Sequence, residues 1–488
     1  MNVTKTLISG AIMMWLPVLS ADAADIDYTA GIFVVNEDWY GHQNSTVNYL
    51  LPDDPDGNWW HYRVIQTENP GKELGCTNQY GAIWDGRFYL IAKQDKDPGA
   101  SITGGRITVA DASTMQIVKQ LQLIDPSGSQ CDGRAFVGVS TTKGYVSSSN
   151  GVWVLDLTAL EITGQVEGTG NSSGSLYLGQ VGTMVLAEGK VFAVHQQNGL
   201  LVIDPESDSV IKVIDMDIVD DAVENATGKR PTKPSGIGST IVRSKDGSLW
   251  INLATNVSGG GSALPYLLHV DPATLDAEVV SLSGEGIYPP SNSWYAWTPD
   301  PFCASSETNT LYWCGGTSSW FSGKMIFRYD IDAGICTKIA DFNTLDGNWQ
   351  VYGCSLGIHP DTDELYASLY HSFGDNTYIV RRFNNDGEVI RDYEMIANYW
   401  FPSLFVFPQA GGISGIDALT PEQGGYVAVS GGKIMLHGFA GCDAAVYTVS
   451  GQCVCRISVT DDIQQIPAAL ISGIYVVRVG NTVSKVVI

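Results

Sequence analysis

The residue best suited to covalent catalysis is a serine within a glycine-bounded pentapeptide. Residues 170–174 have the sequence Gly-Asn-Ser-Ser-Gly, which matches the G-x-S-x-G pattern of hydrolase nucleophiles. That chemistry requires a tight strand-to-helix turn that exposes the serine, with a histidine and an acid nearby. The pentapeptide instead lies in a Gly/Ser-rich stretch with no helical pattern after it, so we predict a flexible loop and no catalytic residue.

Metal-assisted chemistry would need histidine, cysteine or carboxylate side chains gathered at one place. The seven histidines are scattered along the chain, and neither they nor the nine cysteines show the spacing of a zinc site. We therefore predict no metal site and no cofactor. The odd number of cysteines prevents complete pairing; Cys303 and Cys314 could close a hairpin, but the sequence leaves the pairing open.

Aromatic side chains point instead to non-covalent binding. They cluster in loop-like sequences rich in Gly, Pro, Asn and Ser. Large rigid rings with a polar edge supply contact area at low entropic cost. A short polar segment just before a strand, 78–80, would add directional hydrogen bonds. The alternative role for each ring is packing within the fold. The predicted ligand-binding residues are Trp39, Tyr40, Trp60, Asn78, Gln79, Tyr80, Trp297, Trp349, Tyr352, Tyr399 and Trp400.

Two short patterns that alternate through the first 410 residues must position these side chains. One is a turn before an alternating apolar strand, as in Asp85-Gly86 followed by Phe88-Tyr89-Leu90; Asp-Gly between apolar runs is a hairpin signal. The other is a β-branched strand that ends in Asp, as in residues 107–111, where the carboxylate can accept hydrogen bonds from the next amides. Each occurs six times, and the second returns every 45 to 67 residues, the length of a four-stranded propeller blade.

The predicted fold is therefore all-β, with a seven-bladed β-propeller over residues 26–412 followed by a small C-terminal β-sandwich over residues 425–488. No amphipathic helical run of about 12 residues interrupts the repeats, which disfavours a parallel α/β fold. The seventh blade would be composite, since an extra strand at 31–36 opens the repeats and a matching segment at 400–406 follows them. Joining the two segments in one sheet would close the ring.

The N-terminus and the charge indicate an exported protein. Residues 1–23 contain a lysine, a short apolar run and the sequence Ala21-Asp22-Ala23, which together predict a signal peptide. No later stretch approaches about 18 consecutive apolar residues, so we expect no transmembrane segment in the mature chain. The formal net charge of −25 argues against a nucleic-acid partner, because a phosphate backbone binds basic surfaces.

The opening sequence at residues 31–45, Gly-Ile-Phe-Val-Val-Asn-Glu-Asp-Trp-Tyr-Gly-His-Gln-Asn-Ser, resembles the first strand of the DUF5074 / YncE-like surface propellers of Bacteroidetes. The resemblance extends through the blades over about residues 31–410, with an insertion at 51–60 and Asp38-Trp39 where the family usually has Gly-Asn. Some members bind cobalamin at the cell surface and serve TonB-dependent transporters. The resemblance therefore implies capture of a ligand, and it brings no catalytic motif.

The C-terminal region is similar to the sorting domains of the type IX secretion system. The matching segments are residues 446–452, 466–467, 473–479 and 485–488. This similarity implies delivery to the cell surface, where the domain is removable. An ordinary accessory sandwich is the alternative.

We thus expect an extracellular or cell-surface propeller, with the periplasm as the alternative location. It would capture a small-molecule nutrient for a TonB-dependent outer-membrane transporter, with a cobamide as the first candidate and a glycan or peptide next. Two other functions stay open. One is a metal-assisted hydrolase or lyase with its site in the propeller channel, and the other is a scaffold for surface adhesion or protein–protein contact.

Overall fold

A computed structural model of the protein describes most of the chain from residue 26 onward. The predicted signal peptide at residues 1–23, the pentapeptide serines and Trp297 lie outside the described residues. The described residues are 26–170, 179–254, 264–282, 284–291, 299–316, 323–345, 347–397, 399–408, 426–430, 433–437, 439–448, 453–460, 463–467, 470, 473–479 and 482–487.

The described residues from 26 to 408 form short strands, as the alternating apolar pattern predicts. In chain order the strands are β1 Ile32–Asn36, β2 Thr46–Leu50, β3 Trp60–His61, β4 Cys76–Trp84, β5 Arg87–Gln94, β6 Ile107–Asp111, β7 Ile117–Leu121, β8 Gly133–Gly138, β9 Lys143–Ser148, β10 Gly151–Asp156, β11 Glu161–Gln165, β12 Val181–Ala187, β13 Lys190–His195, β14 Gly199–Asp204, β15 Ser209–Ile214, β16 Gly236–Arg243, β17 Leu249–Ala254, β18 Tyr266–Val270, β19 Ala277–Ser281, β20 Phe302–Ala304, β21 Thr310–Gly315, β22 Met325–Asp330, β23 Ile335–Asp341, β24 Gln350–Ile358, β25 Leu365–Tyr370, β26 Tyr378–Phe383, β27 Val389–Glu394 and β28 Pro402–Val406.

These strands form seven four-stranded antiparallel sheets, in the orders β28-β1-β2-β3, β4 to β7, β8 to β11, β12 to β15, β16 to β19, β20 to β23 and β24 to β27. The edge strands β28, β4, β8, β12, β16, β20 and β24, here called the inner strands, contact one another in that order, and β24 contacts β28. The expected all-β, propeller-like fold is confirmed. We call the end at which the inner strands begin the upper end, and the end at which they finish the lower end.

One sheet joins the two ends of this region, as the sequence predicts. Strand β1 pairs antiparallel with β28, with Phe33 opposite Val406 and Val35 opposite Leu404. The backbone pairing continues beyond the strands, since the amide of Glu37 donates to the carbonyl of Phe401 at 2.9 Å. This sheet therefore fixes residues that lie more than 360 positions apart in the sequence.

The turn chemistry of the two repeated patterns is also present. Asp85 and Gly86 both have positive φ, 48° and 72°, which is the signature of a type I′ hairpin turn. At the end of β6, Asp111 Oδ1 accepts hydrogen bonds from the amides of Ser113 and Thr114 at 2.9 Å each. Asp156 does the same for the amides of Thr158 and Ala159.

Two helices in the described part of the chain depart from the purely β expectation. Helix α1 spans Val64–Glu68 and α2 spans Asp217–Thr227. Helix α2 lies between β15 and β16 and buries Val219 and Val223 against the neighbouring sheet core. This helix is 11 residues long and accounts for part of the longest spacing between repeats. It adds a surface element and leaves the order of the sheets unchanged.

The contact between the last sheet and the composite first sheet is rich in aromatic side chains, and it contains two of the predicted ligand-binding residues, Trp60 and Trp400. Trp400 is 1% exposed, stacks on Tyr62 at 5.3 Å and donates its Nε1–H to the carbonyl of Ile396. Trp60 stacks on the other side of the same seam, 5.7 Å from Tyr62. Both rings pack between the sheets, because burying two large aromatics stabilises the closing contact more than exposure to solvent would.

The C-terminal region folds as two small sheets around one core. Its strands are β29 Tyr426–Ser430, β30 Lys433–His437, β31 Asp443–Thr448, β32 Cys453–Ser458, β33 Ile463–Gln465, β34 Ile474–Val479 and β35 Thr482–Val487. The sheet orders are β29-β30-β33 and β32-β31-β34-β35. Leu436 from the first sheet and Val446 and Val477 from the second share the same buried cluster.

The cysteines, all of them in the described part of the chain, form no disulfide bond. Cys303 lies opposite Tyr312 in the β20–β21 pair and not opposite Cys314, so these two cysteines do not close the hairpin. None of the helices among the described residues is both long and apolar enough to cross a membrane.

Candidate functional site

A rigid loop at the upper end, residues 37–45, is the base of the candidate site. Asp38 is buried with φ 58°; its Oδ2 accepts a hydrogen bond from Thr46 at 2.8 Å and its Oδ1 accepts one from Gln43. The amide of Gly41 donates to Asp97 Oδ2 at 2.8 Å, and Asn44 Oδ1 accepts from the amide of Asp97 at 2.8 Å. Side chains on this loop are thus held in place before any ligand arrives.

The loop presents an aromatic cluster to solvent. Trp39 packs edge-on against Tyr399 at 4.9 Å and lies 4.5 Å from the ring of His42. His42 in turn stacks on Tyr399 at 4.8 Å. Trp39 is 38% exposed and the adjacent Tyr40 is 55% exposed. We call Trp39, His42, Tyr399 and the two rings described next, Phe401 and Phe373, the upper aromatic cluster.

A second layer of rings supports this surface. Phe401 is buried and lies 6.1 Å from Trp39 and 5.5 Å from Tyr352. Phe373 stacks on Phe401 at 6.2 Å and is 58% exposed. Monomeric proteins seldom expose several large rings side by side, and such patches mark binding surfaces. The cluster therefore has the area and the rigidity that a ligand-stacking surface requires.

Polar side chains lie directly beneath the rings. Gln79 Nε2 donates to Glu37 Oε1 at 2.7 Å, and both residues are buried. Burial raises the pKa of Glu37, while the nearby charge of Lys93 and hydrogen bonds from Gln79 and Tyr352 act in the opposite direction. The amide of Asn78 donates to Ser45 at 2.9 Å, which ties the inner strand β4 to the loop.

Two cations continue this polar layer toward the middle of the ring. Arg134, on β8, donates Nε and Nη2 to Gln180 Oε1 at 3.0 and 2.5 Å. Burial and the like charge of Arg134 lower the pKa of Lys93 to about 8. The charges of the two side chains interact because the backbones of β5 and β8 approach closely. A Cβ on Gly133 would lie only 2.7 Å from the carbonyl oxygen of Ala92.

The structure brings together only some of the residues predicted from sequence. Trp39, Tyr40, Tyr399 and Tyr352 lie in or beside the upper aromatic cluster, with Asn78 and Gln79 below it. Trp349 stacks face-on with His371 at 3.7 Å, and Tyr80 lines a cavity at the other end of the inner strands. Trp60 and Trp400 belong to the aromatic seam, and Trp297 lies outside the described residues.

Three members of the cluster were missed by the sequence prediction. His42 and Phe401 are near predicted residues in sequence, and their positions next to Trp39 and Tyr399 were the available signal. Phe373 gave no signal, because it is distant in sequence from the other members of the cluster, and the contact between β25 and β28 brings the segments together. Among the described residues, no group of three or more His, Cys, Asp or Glu side chains is arranged to hold a metal ion.

Comparison with protein families gives one match, to the domain of unknown function DUF5074, over residues 30–408. This region contains all seven sheets and the upper aromatic cluster. No curated protein matches the chain.

Among solved structures, the chain is similar to a protein of unknown function from Bacteroides caccae, at 13% identity and a TM-score of 0.36, over 62% of this chain and 93% of that one. It is similar to PorZ, a surface component of the type IX secretion system of Porphyromonas gingivalis, at 10% identity and a TM-score of 0.44, over 91% of this chain and 62% of that one. It is also similar to the extracellular domain of a putative hybrid two-component system from B. thetaiotaomicron, at 10% identity and a TM-score of 0.43, over 85% of this chain and 57% of that one. The chain thus spans less than two thirds of the latter two proteins, and at these values the likenesses carry no information on function.

Proposed function

Because this chain belongs to the DUF5074 family, we propose that it is a seven-bladed, non-catalytic propeller that captures a small-molecule ligand outside the cell. The ligand would bind at the upper end. The observation that carries this proposal is the upper aromatic cluster, in which exposed rings are fixed by buried hydrogen bonds over a polar layer. Preorganised rings bind planar or apolar ligand surfaces without first losing conformational entropy.

The ligand we propose first is a cobamide, and the resemblance to surface cobalamin-binding propellers supports that choice. Trp39 and Tyr399 would supply stacking area, and Tyr40 would extend it at the exposed edge. A glycan is the next candidate, since exposed aromatic rings also stack on sugar faces. The partner we propose is a TonB-dependent outer-membrane transporter that receives the ligand.

The proposed location is the cell surface or the extracellular space. The signal-peptide pattern at residues 1–23 would direct export, and the C-terminal sandwich would act as a sorting domain of the type IX system. Detection of the intact protein on whole cells, before and after deletion of residues 425–488, tests the sorting-domain assignment. Retention inside the cell after the deletion is the expected result.

The binding proposal is tested by isothermal titration calorimetry of the full chain with cyanocobalamin, followed by a glycan array. We expect one-to-one binding that weakens at least tenfold in Trp39→Ala and in Tyr399→Ala, because each removes a stacking ring. The control is Ile335→Ala, which also removes an exposed apolar side chain, 58% exposed, but from the outer strand β23.

Two outcomes would contradict the proposal. Equal affinity of the wild type and both cluster variants would remove the upper aromatic cluster as the site. Absence of binding to cyanocobalamin and to every glycan on the array would remove the proposed ligand classes.

A further inference from the structure

A cavity of about 330 Å³ lies between the inner strands and opens at the lower end. Residues of β4, β12, β16, β20, β24 and β28 line it, and the lining continues past the strands to Lys245, Ser306 and Pro360. The upper aromatic cluster lies where the inner strands begin, so the two features occupy opposite ends of the ring. The cavity is therefore separate from the proposed ligand surface.

The wall of this cavity is mostly apolar. Its volume falls at the lower limit of small-molecule pockets, about 300 to 1,000 Å³. At roughly 30 Å³ for each water-sized group, it holds about ten non-hydrogen atoms. The larger apolar side chains of the wall are Met184, Val185, Leu356, Ile358, Phe405 and Phe407.

Among the described residues of the wall, Asp300 is the one carboxylate, and it lies at the inner end. It is 3% exposed, and its Oδ2 accepts a hydrogen bond from the amide of Ser239 at 2.8 Å. Its Oδ1 is buried without a hydrogen-bond partner among the described residues, and so are Oδ1 and Nδ2 of the neighbouring Asn252. No cation forms an ion pair with Asp300 within the described part of the chain.

Two threonines and a cysteine at the inner end are already engaged in hydrogen bonds. Thr240 Oγ1 accepts a hydrogen bond from the amide of Asp300 at 2.7 Å, and Thr183 Oγ1 accepts one from the amide of Ile241 at 2.8 Å. The thiol of Cys354 donates to the carbonyl of Ser403 at 2.7 Å. The unpartnered polar atoms at this end are therefore Asp300 Oδ1 and the side-chain amide of Asn252. Burying a carboxylate oxygen without a donor is costly enough that native proteins seldom do so.

We propose that this cavity binds a small primary amine with an apolar body, with the ammonium group donating to Asp300 Oδ1. The apolar body would lie against Leu356, Phe405 and the other side chains of the wall, and the ammonium would neutralise the buried carboxylate. The net charge of −25 favours the approach of a cation to the protein. A charge-assisted hydrogen bond in a water-poor site is stronger than one in bulk solvent.

The test uses three probes of similar size on the full chain: 2-phenylethylamine, 2-phenylethanol and phenylacetate, each titrated by calorimetry. We expect one-to-one binding of the amine, binding of the alcohol at least tenfold weaker, and no binding of the carboxylate. Asp300→Asn should weaken amine binding at least tenfold and leave alcohol binding within twofold. Leu356→Trp, which fills the cavity, should abolish binding of both the amine and the alcohol.

Ile335→Ala serves as the control, since it alters only an exposed side chain of the outer strand β23 and should leave amine binding unchanged. Equal affinities for the amine and the alcohol, or no amine binding at millimolar concentration, would overturn the proposal. If Asp300→Asn does not fold, the comparison of the three probes on the wild-type protein still decides. Because the two sites lie at opposite ends, failure here would leave the upper-end proposal intact.

Discussion

Replacing Asp300 with asparagine should make the protein more stable at mildly alkaline pH. Burial raises the pKa of Asp300 from 3.8 to about 7, so the folded protein prefers the neutral carboxyl group. Asparagine has the same shape and is neutral at every pH. Its amide oxygen can replace Oδ2 as the acceptor for the amide of Ser239, which now lies at 2.8 Å.

The size of the effect follows from proton linkage. An acid whose pKa is raised on folding stabilises the folded protein fully when the pH is below its pKa in the unfolded chain, near 4. This stabilisation is lost as the pH rises through the pKa in the folded protein, near 7. The difference between the two pKa values is roughly 3 units at about 1.4 kcal/mol each. The wild type should therefore lose about 4 kcal/mol from this residue between pH 4 and pH 8, and Asp300→Asn should not.

The assay is urea unfolding followed by tryptophan fluorescence at pH 4.5, 6 and 8. We expect the two proteins to unfold at similar urea concentrations at pH 4.5 and the variant to be the more stable by several kcal/mol at pH 8. Comparing the two proteins at each pH cancels the contributions of the other buried acids, Glu37 and Asp38. The matched control is Asp361→Asn, on an exposed residue. A stability difference that does not change with pH, or a variant less stable at pH 8, would refute the reasoning.

Three further predictions concern folding. Trp400→Ala should lower the free energy of unfolding by about 3 to 5 kcal/mol because the ring is fully buried. Trp39→Ala should lower it by less than about 1 kcal/mol. Chemical denaturation of both variants distinguishes the ring that stabilises the fold from the ring at the surface. Burial lowers the pKa of His195 to about 4. The free energy of unfolding should therefore fall by about 3 kcal/mol as the pH drops from about 6.5 to 4. His195→Asn should remove most of this loss, which thermal unfolding at a series of pH values would show. Gly138→Ala would place a Cβ 2.1 Å from the ring of Trp84 and should cost about 1 to 3 kcal/mol, visible as a lower melting temperature.

The sheet elements could be predicted because their signals are local. The positive φ values of Asp85 and Gly86 and the Asx turn at Asp111 each depend on a few consecutive residues. Alternation of apolar residues sets which side chains face the core, and its period is two regardless of the rest of the fold. The joining of β1 to β28 was also predictable, because the two segments lie before and after the six repeats.

The roles of individual aromatic residues could not be predicted in the same way. Tyr399 and Trp400 are adjacent in sequence and both are large aromatics, yet one meets Trp39 at the surface and the other stacks on Tyr62 inside the seam. Successive side chains of an extended segment point to opposite sides. Which side is buried depends on the composite sheet, in which β28 pairs with β1 from the other end of the propeller region.

The sequence by itself determined the strand repeat, the turns and the order of the sheets, because these arise from interactions between near neighbours. Only the tertiary structure decided which polar groups meet at the middle of the ring. Lys93 faces Arg134 because β5 touches β8, and Asp300 lines a cavity because six inner strands surround it. Such contacts depend on how the sheets pack around the ring. Packing between sheets produces no regular spacing in the sequence, so these contacts could not be inferred from it.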